Sequence, residues 1–177
     1  MIILLFGVSN VGKTTTGRIL ANKLSYTFYD LDEEVKKYYH ATLDQFYNRH
    51  KDIEDRDCRR AKLLNRVIAH KDNIVVAITP TSYIKYYQKI IHQDNVLCFY
   101  LTDTVENIFN RLVFTDENDN ILPNSEEYRN KHKEYYLKDI KSDLFYYGQI
   151  YSFIKNKVSI DNKTQDEVAD YIIKEYL

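Results

Sequence analysis

Gly7-Val8-Ser9-Asn10-Val11-Gly12-Lys13-Thr14 is the stretch on which the fold turns. It spells G-x-x-x-x-G-K-T, the pattern of a loop that cradles phosphate groups. Its glycines let the backbone curl until several N–H groups point into one hollow. A helix start adds unsatisfied donors and partial positive charge. The pattern needs a strand before it and a helix after it. Ile2-Ile3-Leu4-Leu5-Phe6 reads as a buried strand, and residues 15–24 place apolar side chains at helical spacing. Gly7, Ser9, Asn10, Val11, Gly12 and Thr15 are therefore expected around a polyphosphate. Lys13 can reach its β- and γ-phosphates, and the Thr14 hydroxyl can bind Mg²⁺.

Outward from this unit, apolar runs alternate with helical patterns. Strands are predicted over residues 26–30, 73–78, 96–101 and 157–160. Helices are predicted over 33–40, 42–49, 52–70, 83–93, 104–112, within 126–155, and from 164 to the end. Thr42-Leu43-Asp44-Gln45 and Thr164-Gln165-Asp166-Glu167 have capping-box form. Residues 114–125 carry turn residues and acids and read as an exposed loop. Five strands separated by helices imply an α/β, three-layer sandwich with a five-stranded parallel sheet. One domain over residues 1–177 is expected, with a lid-like loop at 114–125. Ligands gather at the carboxyl ends of such strands, which points to residues 7–14, 30–32, 79–82 and those after 101.

The bulk numbers narrow the function classes. The 177 residues suffice for a core, and 44% hydrophobic with 29% charged residues is an ordinary soluble balance. A net charge of -1 gives no reason to expect a nucleic-acid partner. The apolar start is too short to span a bilayer and lacks the flanks of a signal peptide, so no membrane partner and a cytoplasmic location are expected. Cys58 and Cys98 read as structural thiols, Cys98 in the core. The five histidines, at 40, 50, 70, 92 and 132, show no metal-ligand spacing and read as surface residues. The 17 tyrosines are scattered rather than spaced as stacking platforms.

Asp30-Leu31-Asp32 closes the second strand. Side chains two apart on an extended chain point the same way. One acid can act through the water shell of Mg²⁺ while the other orients a substrate hydroxyl or takes its proton. An acidic N-cap for the next helix explains the same residues. In this layout the chain resembles the shikimate kinase family over nearly its whole length, which implies a fold of the P-loop NTPase and nucleoside-monophosphate-kinase type. The match rests on the loop at 7–14, Asp30-x-Asp32, the helical segment with Arg56, the strand at 73–78, Arg111 and the lid-like stretch after it. The resemblance implies an ATP-dependent kinase for a small hydroxylated metabolite, with shikimate the named candidate and ATP and Mg²⁺ as cofactors. It implies that Lys13 grips the phosphates, Thr14 ligates the metal, Asp30 acts through the metal's waters and Asp32 holds the hydroxyl. By the same resemblance Arg56 pairs with the substrate carboxylate, Arg111 lies against adenine and Lys141 takes the place of a second substrate arginine. Arg56 also fits a surface ion pair within Asp55-Arg56-Asp57, Arg111 a helix end, and Lys141 an ordinary surface lysine. The chain is expected to act as a monomer or homodimer.

Two departures from the family pattern stand out. Thr79-Pro80-Thr81 replaces the family's three glycines after the third strand, and proline offers no N–H. Losing one charge-assisted bond there costs roughly 1.5–3 kcal/mol. The family's lid arginine is also missing. No Arg or Lys lies between Arg111 and Arg129, where Asp116, Glu117 and Asp119 stand instead. These departures leave room for a second reading, a nucleotide-binding regulatory module with impaired catalysis.

Overall fold

Strands β1 (Ile2–Phe6), β2 (Thr27–Asp30), β3 (Ile74–Ala77), β4 (Val96–Thr102) and β5 (Asn156–Ser159) form one all-parallel sheet in the order β2-β3-β1-β4-β5. This computed structural model describes residues 1–69, 71–123 and 125–177. His70, expected at a helix end and on the surface, and Asn124, expected in the exposed loop, lie outside the described residues. β1 alternates strictly. Ile2, Leu4 and Phe6 enter one core cluster, whereas Ile3 and Leu5 enter the other. Covering both faces with helices is what makes every residue of β1 apolar and buried.

The first cluster is closed by α2 (Leu31–Tyr39), α3 (Leu43–Arg49), α4 (Ile53–Ile68) and α5 (Gln88–Ile91), through Leu31, Val35, Phe46, Ala61, Leu64, Ile68 and Ile90. The second is closed by α1 (Lys13–Leu24), α6 (Val105–Asn110), α8 (Lys133–Ile150) and α9 (Gln165–Tyr176), through Leu20, Ala21, Ile108, Ile140, Val168 and Ile172. Between α6 and α8 lies the short α7 (Ser125–Lys131). Local chemistry sets these boundaries. Thr42 and Thr164 head the two capping boxes, and Asp52 and Thr104 cap α4 and α6 through side-chain oxygens.

The expected helix over 83–93 is instead a single 3₁₀ turn, Ile84–Tyr86, followed by the four-residue α5. The entry to this segment is pinned. The Ser82 and Tyr83 N–H groups donate to the Asp57 carboxylate at 2.9 and 3.0 Å, and the Tyr151 hydroxyl accepts from the Thr81 N–H at 2.8 Å. The Tyr87 ring is also fully buried in the middle of the segment.

Parallel register sets the site. Ala77 pairs with both Leu5 and Asp30, so the carboxyl ends of β1, β2 and β3 finish side by side. Helix α1 must then pack closely on the sheet. A Cβ at Gly17 would lie 2.5 Å from a Phe28 ring carbon and 3.1 Å from Leu5 Cδ1. Gly17→Ala should therefore lower stability by about 1–3 kcal/mol in urea unfolding, and an unchanged midpoint would contradict this packing.

Candidate active site

The loop after β1 is built as its sequence predicts. Gly7 has φ 151° and Gly12 has φ 111°, and Asn10 sits in the left-handed region at φ 58°. A Cβ on Gly7 would lie 2.7 Å from the Leu101 carbonyl oxygen. Val8 and Val11 are buried and anchor the curl. Gly12 occupies the N-cap of α1 and has no side-chain cap, so the helix's first N–H groups remain available to an anion.

Lys13 is buried within the curl. Its Nζ donates to the carbonyls of Gly7 at 3.0 Å and Val8 at 2.7 Å. Burial lowers its pKa to about 8, opposed by the nearby carboxylates of Asp32 and Asp30. The Thr14 hydroxyl donates to Asp30 Oδ2 at 2.6 Å, while Asp30 Oδ1 accepts from the Asp32 N–H at 3.0 Å. Asp30 is thus the N-cap of α2 and a partner of the phosphate loop at once.

Asp32 lies deeper. Its Oδ1 accepts from the Thr79 hydroxyl at 2.7 Å. Burial raises its carboxyl above the ordinary range, with the Thr79 bond and the Arg60 charge pulling the other way. Two acids two residues apart therefore occupy unlike environments, the usual arrangement for dividing roles between carboxylates.

Three cavities run together here. The first, about 670 Å³, is walled by Gly12, Lys13, Thr14, Arg111, Val113 and Arg129 among others. The second, about 290 Å³, shares Lys13 and Thr14 with it and adds Asp30, Asp32 and Thr79. The third, about 340 Å³, shares Asp32 and Thr79 with the second and contains Tyr47, Arg56, Arg60 and Tyr147. Lys13 and Asp32 mark the junctions along this line.

Arg56 reaches the third cavity. It lies with its guanidinium carbon 5.1 Å from the Tyr47 ring centroid and has no ion pair among the described residues. The surface ion pair suggested by Asp55-Arg56-Asp57 is not formed, because Asp55 pairs with Arg59 and His50, and Asp57 with Arg60. Arg111 reaches the first cavity. Its Nε donates to the Asn10 carbonyl at 3.0 Å, and a second nitrogen pairs with buried Asp103.

Lys141 is not brought to the site. It is exposed on α8, and Tyr147 is the α8 residue that lines the third cavity. Six residues amount to about 600° of helix, so Lys141 points about 120° away from Tyr147. His50 is also not a surface residue. It is half-buried, with Nδ1 2.9 Å from Asp55 Oδ2. Cys98 is half-buried, and burial pushes its thiol up to about 12.

Two acids of the 114–125 loop, Asp116 and Asp119, are engaged away from the phosphate hollow. Asp116 accepts from the Asn118 and Asn120 N–H groups, and Asp119 pairs with Lys36 of α2 at 3.3 Å. A bridge between Thr115 and Ile121 narrows the loop. Ile121 and Ser125 are the described residues of this stretch that line the first cavity, with Val113 just before it.

Sequence reading missed Arg60 and Asp57. Both are buried. Arg60 donates to the Tyr47 hydroxyl at 3.0 Å, lies 3.5 Å from Asp57 and retains an Nε without a partner among the described residues. The available signal was spacing, since Arg60 stands four residues after Arg56 and so shares its helix face.

The chain is similar to known shikimate kinases in sequence and in fold. The profile of the shikimate kinase family matches residues 9–177. The shikimate kinase of Flavobacterium johnsoniae is 24% identical over 171 residues, covering 97% of this chain and 96% of that protein. The shikimate kinase of Bacillus subtilis is 27% identical over 173 residues, covering 97% of this chain and 87% of that protein. A solved shikimate kinase from Acinetobacter baumannii, in complex with shikimate, shares the fold with a TM-score of 0.73 at 23% identity, over 98% of this chain and 90% of that one.

The Lys13 environment gives a pH prediction. A bound polyphosphate favours the charged amine, so the free protein, with its pKa near 8, is the form that loses charge first. Affinity for ADP should stay level below about pH 8. Above it, the dissociation constant should rise by up to about tenfold per pH unit, because binding then requires proton uptake. Calorimetric titrations across this range check the trend, and a constant affinity would contradict it.

Proposed function

The chain belongs to the shikimate kinase family and is a small-molecule kinase, and from that premise we propose that it transfers the γ-phosphate of ATP to a hydroxyl of shikimate or a closely similar hydroxylated acid. The observation that carries the reading is the line of three joined cavities with Lys13 and Asp32 at its junctions. It supplies a nucleotide space, a transfer zone and an acceptor space in sequence.

In this reading the N–H groups of residues 9–15 and the Lys13 amine hold the polyphosphate. Thr14 Oγ1 and Asp30 form a small all-oxygen donor set, which fits Mg²⁺, a cation that keeps waters and takes the remaining ligands from phosphate. Held there, Mg²⁺ would supply positive charge that offsets the phosphates. Asp32 holds the acceptor hydroxyl and takes its proton as the acceptor oxygen bonds to the γ-phosphorus. The bond from that phosphorus to the β–γ bridging oxygen breaks, and ADP leaves. Arg56 and Arg60 face the acceptor's carboxylate, with Tyr47 holding both guanidinium groups. Arg111 flanks the nucleotide, and residues 114–125 act as a lid that excludes water. One domain, acting as a monomer or homodimer in the cytoplasm without a nucleic-acid or membrane partner, completes the proposal. Among the described residues no helix is long and apolar enough to cross a membrane.

Purified protein with Mg·ATP should release ADP on addition of shikimate, and no release above background would contradict shikimate as the acceptor. Asp32→Asn should reduce kcat at least about a hundredfold while nucleotide affinity stays near wild type. Unchanged turnover would remove Asp32 from the reaction. Arg56→Ala should raise the acceptor KM about ten- to a hundredfold and leave the ATP KM nearly unchanged. Equal shifts in both would contradict an acceptor-side role.

A further inference from the structure

Phosphoryl transfer concentrates negative charge between the nucleotide and its acceptor, and positive groups placed there speed the reaction. The 114–125 loop has neither Arg nor Lys. We propose that Arg129, carried by α7, contacts the γ-phosphate and offsets the charge that develops during transfer. The proposal rests on the kinase reading above.

Three cations line the first cavity: Lys13, Arg111 and Arg129. Lys13 is held by two carbonyls of its own loop. Arg111 is satisfied by the Asn10 carbonyl and the buried Asp103 carboxylate, so little of its charge is uncompensated. Arg129 is held differently. Its Nη1 donates to the Asn110 carbonyl at 2.7 Å, and its guanidinium carbon lies 5.5 Å from the Phe109 ring centroid. Nη2 lies 3.6 Å from Glu126, whose side chain is 82% exposed, so that pair is screened by solvent. Nε is buried and has no partner among the described residues.

One strong bond and one ring thus fix the plane of the guanidinium. Nε lacks an acceptor, and Nη2 has only a distant, solvent-screened one. That is the posture of a planar, preorganised anion receiver. Asn110 and Arg111 are adjacent, so the end of α6 sets both arginines on the same cavity wall. Lys133 also approaches Phe109, at 5.9 Å, but does not line the cavity.

Three measurements on Arg129→Ala test the assignment. Its kcat should fall at least about a hundredfold, with a smaller change in ATP KM. Added guanidinium should restore part of the lost rate. Calorimetry with a non-hydrolysable ATP analogue and with ADP should show the preference for the triphosphate reduced about tenfold, the size of one charge-assisted bond. The binding arm needs no acceptor, so it decides Arg129 even if shikimate proves not to be phosphorylated. Should Arg129→Ala fail to fold, Arg129→Lys replaces it and should lose part of the same preference, since it keeps charge without the planar donor set. Equal loss of affinity for both nucleotides, or no loss, would overturn the proposal.

Discussion

The hydrogen bond from the Thr14 hydroxyl to Asp30, at 2.6 Å, joins the phosphate loop to the far side of the sheet, and the site depends on it. Strand β3 lies between β1 and β2, so these residues meet only because the three strands end in step. Asp30 also caps α2, which fixes the start of the helix that presents Asp32. One carboxylate therefore sets the distance between the phosphate loop and Asp32. A one-residue slip in β2 would turn Asp30 to the opposite face of the strand and break the arrangement.

A second carboxylate organises the acceptor side. Asp57 binds the N–H groups of Ser82 and Tyr83 and pairs with Arg60, so the turn after β3 is held from α4. Its donors serve the protein rather than a ligand. In the proposed reading, recognition of an anionic acceptor then falls to side chains, Arg56 and Arg60, while Thr79 contributes a hydroxyl to Asp32. This explains how the Thr79-Pro80-Thr81 turn is accommodated: the N–H that proline lacks lies in a turn whose neighbouring donors are already committed.

Much of the fold was legible because its signals are local. The phosphate loop, the capping boxes and the unbroken apolar run of β1 each lie within a few residues of sequence. The misplaced or missed residues depend on distant partners. Asp55, Asp57, Arg59 and Arg60 look equivalent in a charged helix, and only the position of Ser82 and Tyr83 singles out Asp57 as buried. Lys141 was assigned by order along the chain, whereas helix phase decides which way it points. The acids of residues 114–125 stand where the family's lid carries an arginine. Asp116 is in fact spent on its own turn and Asp119 on Lys36. These two acids therefore do not by themselves argue for a module with impaired catalysis, and the departure that stands is the loop's lack of an arginine.

The account's central claim is that the backbone of residues 9–15 receives polyphosphate in the hollow beside Asp30. Residue-resolved amide hydrogen exchange with and without Mg·ADP tests this most directly. Slowed exchange concentrated at Ser9 through Thr15 is the predicted result. Exchange there that is unchanged at saturating nucleotide, with protection appearing elsewhere or nowhere, would contradict it.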